Sequence, residues 1–150
     1  MIITMFKQIA ILVLVSALFA GVNAWLRPIQ GKVDKADQVK RIDVATALKV
    51  NVAGDAMFVD AREPATFDLG HIPGALNLNP HDDFETQYAP FSSLIPMDQA
   101  LVVYCDGDEC TLSTDLAMRL LERGYLKVSV LSGGMTAWTG AGGKIAREDH

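Results

Sequence analysis

Residues 100–111 read ALVVYCDGDECT, a short apolar run followed by a polar loop that carries two cysteines. The run at residues 100–104 has the length and the β-branched content of a buried strand. After the loop from Cys105 to Cys110, residues 111–123 (TLSTDLAMRLLER) place leucines at helical spacing. This succession predicts strand, loop and helix, which is the repeating unit of a parallel α/β sheet.

Segments on both sides continue the same alternation. We predict further helices at residues 42–50 (capped by Asp43), 63–69, 84–94 in part, and up to Trp138, and further strands at residues 56–59, 75–78 and 127–131. Strands that alternate with helices at short intervals form a mainly parallel sheet with helices on both faces. The fold class is therefore α/β.

The first 26 residues are a separate, strongly apolar segment. The 19 residues between Lys7 and Arg27 carry no charge. At ~1.5 Å per residue they just cover a ~30 Å hydrocarbon core, and Trp25 would lie at the interface. The segment is predicted to form a transmembrane helix. The alternative is a cleaved signal peptide, with residues 22–24 (VNA) as the cleavage site.

The other boundaries follow from composition. Residues 27–41 are polar and basic and are predicted to be a linker, residues 42–145 the globular domain, and residues 146–150 a tail. From residue 42 onward there are seven basic and 16 acidic residues. So acidic a domain repels phosphate backbones, which argues against nucleic-acid binding.

The same segments set the expected location. A basic stretch beside an apolar segment suits an anionic membrane surface. We expect a cell-membrane protein with a single N-terminal span and a periplasmic domain, or, if the segment is cleaved, a soluble periplasmic protein. The positive-inside rule, applied to Arg27, Lys32 and Lys35, favours a cytoplasmic domain instead, so orientation stays open.

Cys105 is the candidate nucleophile. It follows a predicted parallel strand, at the edge where open α/β sheets bind their ligands. The loop after it leads to a helix N-terminus, whose free N–H groups and dipole favour a negative charge. A thiolate or a persulfide anion would be stabilised there.

The chain resembles the rhodanese (sulfurtransferase) family over about residues 42–145. The matching segments, in family order and spacing, are FVDARE (58–63), Phe67, GHIPGALN (70–77), VVYC (102–105), LAMRLL (116–121) with Gly124-Tyr125, and VLSGGMTAW (130–138). Five blocks in register identify the domain far more specifically than any single one.

The resemblance implies a three-layer domain with a five-stranded, mainly parallel sheet. It implies that Cys105 accepts a sulfane sulfur from a donor as a persulfide and passes it to a thiol acceptor, with no cofactor and no metal. The active-site loop would be Asp106, Gly107, Asp108, Glu109, Cys110 and Thr111, whose backbone N–H groups would hold the persulfide. Asp60 and Arg62 match the family's D-x-R and are interpreted, with His71, as structural support, and Trp138 as core.

The loop also departs from the family pattern. Family members that use thiosulfate often carry Arg or Lys here, whereas this loop has three carboxylates and no cation. Negative charges near the sulfur repel a dianionic donor, so we expect a persulfide or polysulfide donor instead of thiosulfate. The phosphatase relatives use a longer loop that ends in arginine, which argues against phosphatase activity.

Cys110 leaves three functions open. It is either a small half-buried residue or a resolving thiol that attacks Cys105 and forms a disulfide; a metal site is disfavoured, because two thiols make half a zinc site. The candidate functions are a membrane-associated sulfurtransferase or persulfide carrier, a thiol–disulfide redox module that uses both cysteines, and a non-catalytic interaction domain. A membrane protein is a possible partner of a tethered domain.

Overall fold

The computed structural model describes residues 39–147. The apolar segment of residues 1–26, most of the predicted linker and residues 148–150 lie outside the described residues. The described part contains five strands and five helices: β1 (Lys40–Ile42), α1 (Val44–Ala53), β2 (Met57–Asp60), α2 (Pro64–Leu69), β3 (Leu76–Asn77), α3 (Phe84–Leu94), β4 (Ala100–Tyr104), α4 (Leu112–Glu122), β5 (Lys127–Leu131) and α5 (Gly134–Gly140).

The strands form one sheet in the order β1-β5-β4-β2-β3, and every neighbouring pair is parallel. One hydrophobic cluster joins α3 and α4 to one face of the sheet, and a second joins α1, α2 and α5 to the other face. The expected parallel α/β fold with helices on both faces is confirmed.

The central strand β4 explains why its sequence is apolar throughout. Successive side chains of a strand point to opposite faces. Leu101 and Val103 pack in the first cluster, whereas Val102 and Tyr104 pack in the second, and all four are buried. A strand covered on both faces needs apolar residues at consecutive positions.

The start of the domain differs from the prediction. Ile42 ends strand β1, which pairs with β5, and the helix begins only at Val44. The reason is Asp43, whose extended backbone breaks the helix and whose carboxylate accepts a hydrogen bond from the Thr46 N–H at 2.7 Å. That bond holds the pKa of Asp43 below its ordinary value. The sequence predicted a linker through residue 41 and a helix from residue 42. Both predictions were wrong at this boundary, because residues 40–42 form a strand and the helix starts at Val44.

The far end of the domain also extends further than the sequence indicated. Ala146, which we assigned to the tail, forms an antiparallel bridge with His71. Backbone hydrogen bonds of 2.9 and 3.0 Å join the two residues in both directions. The chain after α5 thus returns to the turn that follows α2.

Parallel topology brings the functional segments together. The carboxyl ends of parallel strands lie at one edge of the sheet. The loop after β4, the Asp60 end of β2 and the glycines after β5 meet there. The predicted site is built at this edge.

Candidate active site

Cys105 follows β4 directly and is 1% exposed. Its sulfur is bonded to the sulfur of Cys110, with the two Cα atoms 6.4 Å apart. The Oγ of Ser113 lies 3.3 Å from the Cys105 Sγ, and the carbonyl oxygens of Cys110 and Gly107 lie 3.5 and 3.7 Å from it. The sulfur is thus enclosed by its own loop and by the first turn of α4.

The backbone of Cys105 is fixed by the start of α5. The Met135 N–H donates to the Cys105 carbonyl at 2.7 Å, and the Thr136 N–H donates to the Asp106 carbonyl at 2.9 Å. Gly134 permits this approach: its φ is +50°, and a Cβ at this position would overlap the Cys105 carbonyl oxygen. The two helix N-termini, α4 and α5, therefore hold the loop between them.

Two of the three loop carboxylates have partners within the fold. Asp106 forms an ion pair with Arg62 at 3.3 Å, and an oxygen of Asp108 accepts a hydrogen bond from the Gly133 N–H at 2.7 Å. Glu109 is exposed. The sequence predicted a loop without a cation, and the structure supplies one from the D-x-R segment.

Asp60 and Arg62 form a buried ion pair behind the loop. Arg62 donates from Nε to both Asp60 oxygens at 2.9 and 3.2 Å and from Nη2 to Oδ2 at 2.6 Å. Nη2 also donates to the Gly70 carbonyl at 2.8 Å. Burial opposes the charge of Arg62, but the bonds and charge of Asp60 raise its pKa overall. Arg62 therefore stays charged and ties three chain segments together.

Tyr104 lies beside this pair at the end of β4. Its hydroxyl accepts a hydrogen bond from the Ile72 N–H at 3.1 Å. Burial, and then the negative charge of Asp60, raise the pKa of Tyr104. The phenol thus remains neutral and supports the turn after α2.

His71 and Trp138 lie away from the sulfur. The His71 ring stacks on Phe67 with centroids 3.8 Å apart, and its Nδ1 is 3.0 Å from the Phe67 carbonyl oxygen. Trp138 is 1% exposed and donates from Nε1 to the Lys144 carbonyl at 2.8 Å. The structure places His71 in a turn and Trp138 in the core.

An open pocket of about 460 Å³ lies on the outer side of the loop. It is lined by residues 106–109 together with Gly133, Thr136 and Ala137. Neither cysteine is among the residues that line it. A molecule bound in the pocket would meet the acidic side of the loop.

Sequence reasoning missed Ser113, Tyr104 and Gly134. Ser113 is 3% exposed and lies on the inner side of the first turn of α4. Its position on the same helical face as Leu116, Ala117 and Leu120 was a signal that helical periodicity could have used. The roles of Tyr104 and Gly134 depend on contacts between segments that are distant in the chain, for which the sequence carries no local sign.

The described part of the chain contains neither a metal-binding cluster nor a membrane-spanning helix. Residues 39–147 contain no group of three or more His, Cys, Asp or Glu side chains placed to hold a metal ion. Nor does any helix in that range have the length and apolar character needed to cross a membrane.

Comparison with known proteins matches the rhodanese-like domain model to residues 44–141. The chain is similar to the thiosulfate sulfurtransferase GlpE of Shewanella oneidensis, with 34% identity over 99 residues, which cover 66% of this chain and 91% of that protein. It is also similar to a sulfurtransferase of Allochromatium vinosum, with 36% identity over 85 residues, 56% of this chain and 72% of that protein.

Solved structures agree. The solution structure of the rhodanese-like domain of an Anabaena protein has 29% identity and a TM-score of 0.58, covering 72% of this chain and 79% of that chain. A crystal structure of a Bacillus halodurans protein reaches a TM-score of 0.65 at 21% identity, over 74% of this chain and 79% of that chain. The second likeness concerns the fold alone.

Proposed function

Since the chain belongs to the rhodanese-like domain family and is a sulfurtransferase, we propose that Cys105 is the residue that carries the sulfur, as a persulfide. The thiolate attacks the outer sulfur of a persulfide donor, the sulfur–sulfur bond of the donor breaks, and the donor leaves as a thiolate. An acceptor thiolate then removes the same sulfur. Cys105 returns to its starting form.

The observation that carries this proposal is the surroundings of the Cys105 sulfur. The Ser113 hydroxyl, 3.3 Å away, can donate a hydrogen bond to a sulfur anion. The N-terminus of α4 begins seven residues after Cys105 and adds the positive end of a helix dipole. Both features favour the thiolate and the persulfide anion over their protonated forms, against the opposing carbonyl oxygens of Cys110 and Gly107, which lie 3.5 and 3.7 Å from the same sulfur in the disulfide form.

The loop charges favour a thiol persulfide or polysulfide as donor. Arg62 offsets the charge of Asp106, but Asp108 and the exposed Glu109 remain negative at the entrance. Thiosulfate, which the names of the GlpE relatives mention, is a dianion and is repelled by these charges. A thiol persulfide carries at most one charge on its reacting sulfur group, and the other charges of glutathione persulfide lie several bonds away from that sulfur.

The test is intact-mass spectrometry of the reduced full chain after exposure to glutathione persulfide or thiosulfate. We expect Cys110→Ser, which cannot form the internal disulfide, to gain one sulfur (about 32 Da) from the persulfide, and Cys105→Ser to gain none. Thiosulfate should load little sulfur onto Cys110→Ser and more when Glu109→Lys is added to that variant. No gain from either donor in any variant would reject the proposal.

The bond between Cys105 and Cys110 favours a second candidate function, a thiol–disulfide redox module. In that case the reduced protein passes two electrons to a disulfide substrate and gains no sulfur. The same experiment separates the two functions. In a redox module the wild type loses two hydrogens as the disulfide forms, and Cys110→Ser gains no sulfur. A chain that does neither would be the non-catalytic interaction domain.

We propose further that residues 1–26 hold the domain at the cell membrane, on the periplasmic side, where a membrane protein could be its partner. The support is the uncharged stretch of 19 residues and the basic residues that follow it. Mass spectrometry of the protein from membrane and periplasmic fractions tests this. A chain that begins near residue 25 and occurs only in the soluble fraction would establish the signal peptide instead.

A further inference from the structure

We propose that Cys110 ends the sulfur-transfer cycle by expelling the sulfur of the Cys105 persulfide as hydrogen sulfide. This inference rests on the proposed function, because it needs the persulfide on Cys105. It adds a sulfide-releasing activity and names a second substrate class, a dithiol reductant.

The geometry of the loop places Cys110 for this reaction. The Cα atoms of the two cysteines are 6.4 Å apart, inside the ~4.4–6.8 Å range of protein disulfides. The turn that brings Cys110 back is closed by its own N–H, which donates to the Gly107 carbonyl at 3.2 Å. The Cys110 sulfur occupies a bonding position on the Cys105 sulfur, so the closed loop is already the product of the proposed step.

The loop is held in this closed form by contacts that are independent of the sulfur–sulfur bond. Asp106 is paired with Arg62, and Asp108 accepts the hydrogen bond from Gly133. Because these contacts preorganise the loop, the Cys110 thiol acts on Cys105 at an effective concentration of about millimolar or higher. An external thiol has to reach that concentration before it competes with Cys110.

The step balances in atoms and electrons. The Cys110 sulfur attacks the Cys105 Sγ, and the proton of the Cys110 thiol passes to the outer sulfur of the persulfide anion. The bond between Sγ and the outer sulfur breaks, and the outer sulfur leaves as HS⁻ with the electron pair of that bond. The two cysteine sulfurs are each oxidised by one electron, and the sulfane sulfur is reduced by two. The protein is left as the Cys105–Cys110 disulfide.

The structure also indicates which sulfur the reductant attacks. Cys110 is half-buried, whereas Cys105 is enclosed. One thiol of a dithiol reductant therefore attacks the Cys110 sulfur, and Cys105 leaves as a thiolate next to the Ser113 hydroxyl. The second thiol of the reductant then releases Cys110, which gives two free thiols on this protein and one disulfide on the reductant.

The test is a single turnover of the reduced full chain with one equivalent of glutathione persulfide and no other reductant. Released sulfide is measured with a sulfide electrode, and the protein is analysed by intact mass. For the wild type we expect close to one equivalent of sulfide and a product lighter by two hydrogens. Cys110→Ser should retain the added sulfur and release at least about tenfold less sulfide, since only the slower intermolecular reaction remains.

Cys105→Ser is the matched control, because it keeps Cys110 and should neither gain sulfur nor release sulfide. Sulfur loading of Cys110→Ser shows in addition that this variant is folded. A wild type that keeps the added sulfur and releases no more sulfide than Cys110→Ser overturns the role of Cys110 while the proposed function stands. If no variant gains sulfur and none releases sulfide, the proposed function itself fails.

Discussion

Replacement of Arg62 by methionine should be among the most damaging changes in the domain. Methionine preserves much of the side-chain volume but removes the guanidinium. Asp60, which is 0% exposed, then loses three hydrogen bonds and its counter-charge, and the Gly70 carbonyl loses its donor. Removal of one partner of a buried ion pair costs about 3–5 kcal/mol.

This free energy converts to a melting temperature. For a domain of about 100 residues, each kcal/mol lowers Tm by roughly 4 °C or more. We therefore expect Arg62→Met to melt at least about 12–20 °C below the wild type, measured by scanning calorimetry on the reduced full chain in detergent. Below the transition it should also load less sulfur, because Asp106 loses the contact that positions the loop.

Asp106→Asn is the matched control. It removes only the outer carboxylate that pairs with Arg62. The Asp106 side chain is 67% exposed, and an ion pair with an exposed partner contributes less than about 1 kcal/mol to stability. Its Tm should fall by no more than a few degrees. If Arg62→Met and Asp106→Asn proved equally mild, the buried pair would not be what stabilises this edge of the sheet.

Three further predictions concern the same edge. Gly134→Ala should lower the free energy of unfolding in urea by about 3 kcal/mol or more and abolish sulfur loading, because its Cβ overlaps the Cys105 carbonyl. Gly142→Ala, with φ of +76° and open space around it, should lower that free energy by only about 1 kcal/mol and still load sulfur. Equal losses in the two variants would disprove the steric argument. Ser113→Ala should slow alkylation of reduced Cys105 by iodoacetamide about tenfold at neutral pH, the equivalent of a lost hydrogen bond to a charged sulfur, and an unchanged rate would exclude Ser113 from the chemistry. Because the pKa of Tyr104 is raised in the folded state, the neutral phenol stabilises the fold fully below the unfolded pKa of about 10, and this stabilisation is lost as the pH rises above that value. Tyr104→Phe should therefore flatten the decline of the unfolding free energy at alkaline pH. An unaltered slope would contradict this prediction.

The elements that the sequence predicted well are those with a local pattern. The apolar run of β4 has the predicted bounds, residues 100–104, and the leucine spacing placed α4 within one residue at each end. The short strand β1 has no such pattern. Its three residues, Lys-Arg-Ile, form a strand only because β5 lies beside them.

The candidate site was predictable to the same degree. Strand, loop and helix placed Cys105 and its neighbours at the end of β4, because that unit is contiguous in the chain. The partners that neutralise or enclose the loop come from elsewhere: Arg62 from the end of β2, and Gly134 from the turn after β5. A count of charges along the loop predicted carboxylates without partners. Asp106 and Asp108 have partners because segments distant in the chain meet in the tertiary structure.

The pairing of β1 with β5 has a consequence for how the domain is made. The two strands stand at opposite ends of the described chain, yet they are neighbours in the sheet. Pairings so remote in sequence slow folding, because a long loop must close before they form. Helix α5, whose Met135 N–H donates to the Cys105 carbonyl, follows β5 and is synthesised later still. A nascent chain therefore exposes both cysteines before it possesses the environment that directs their reactions, and during that interval they are vulnerable to uncontrolled oxidation.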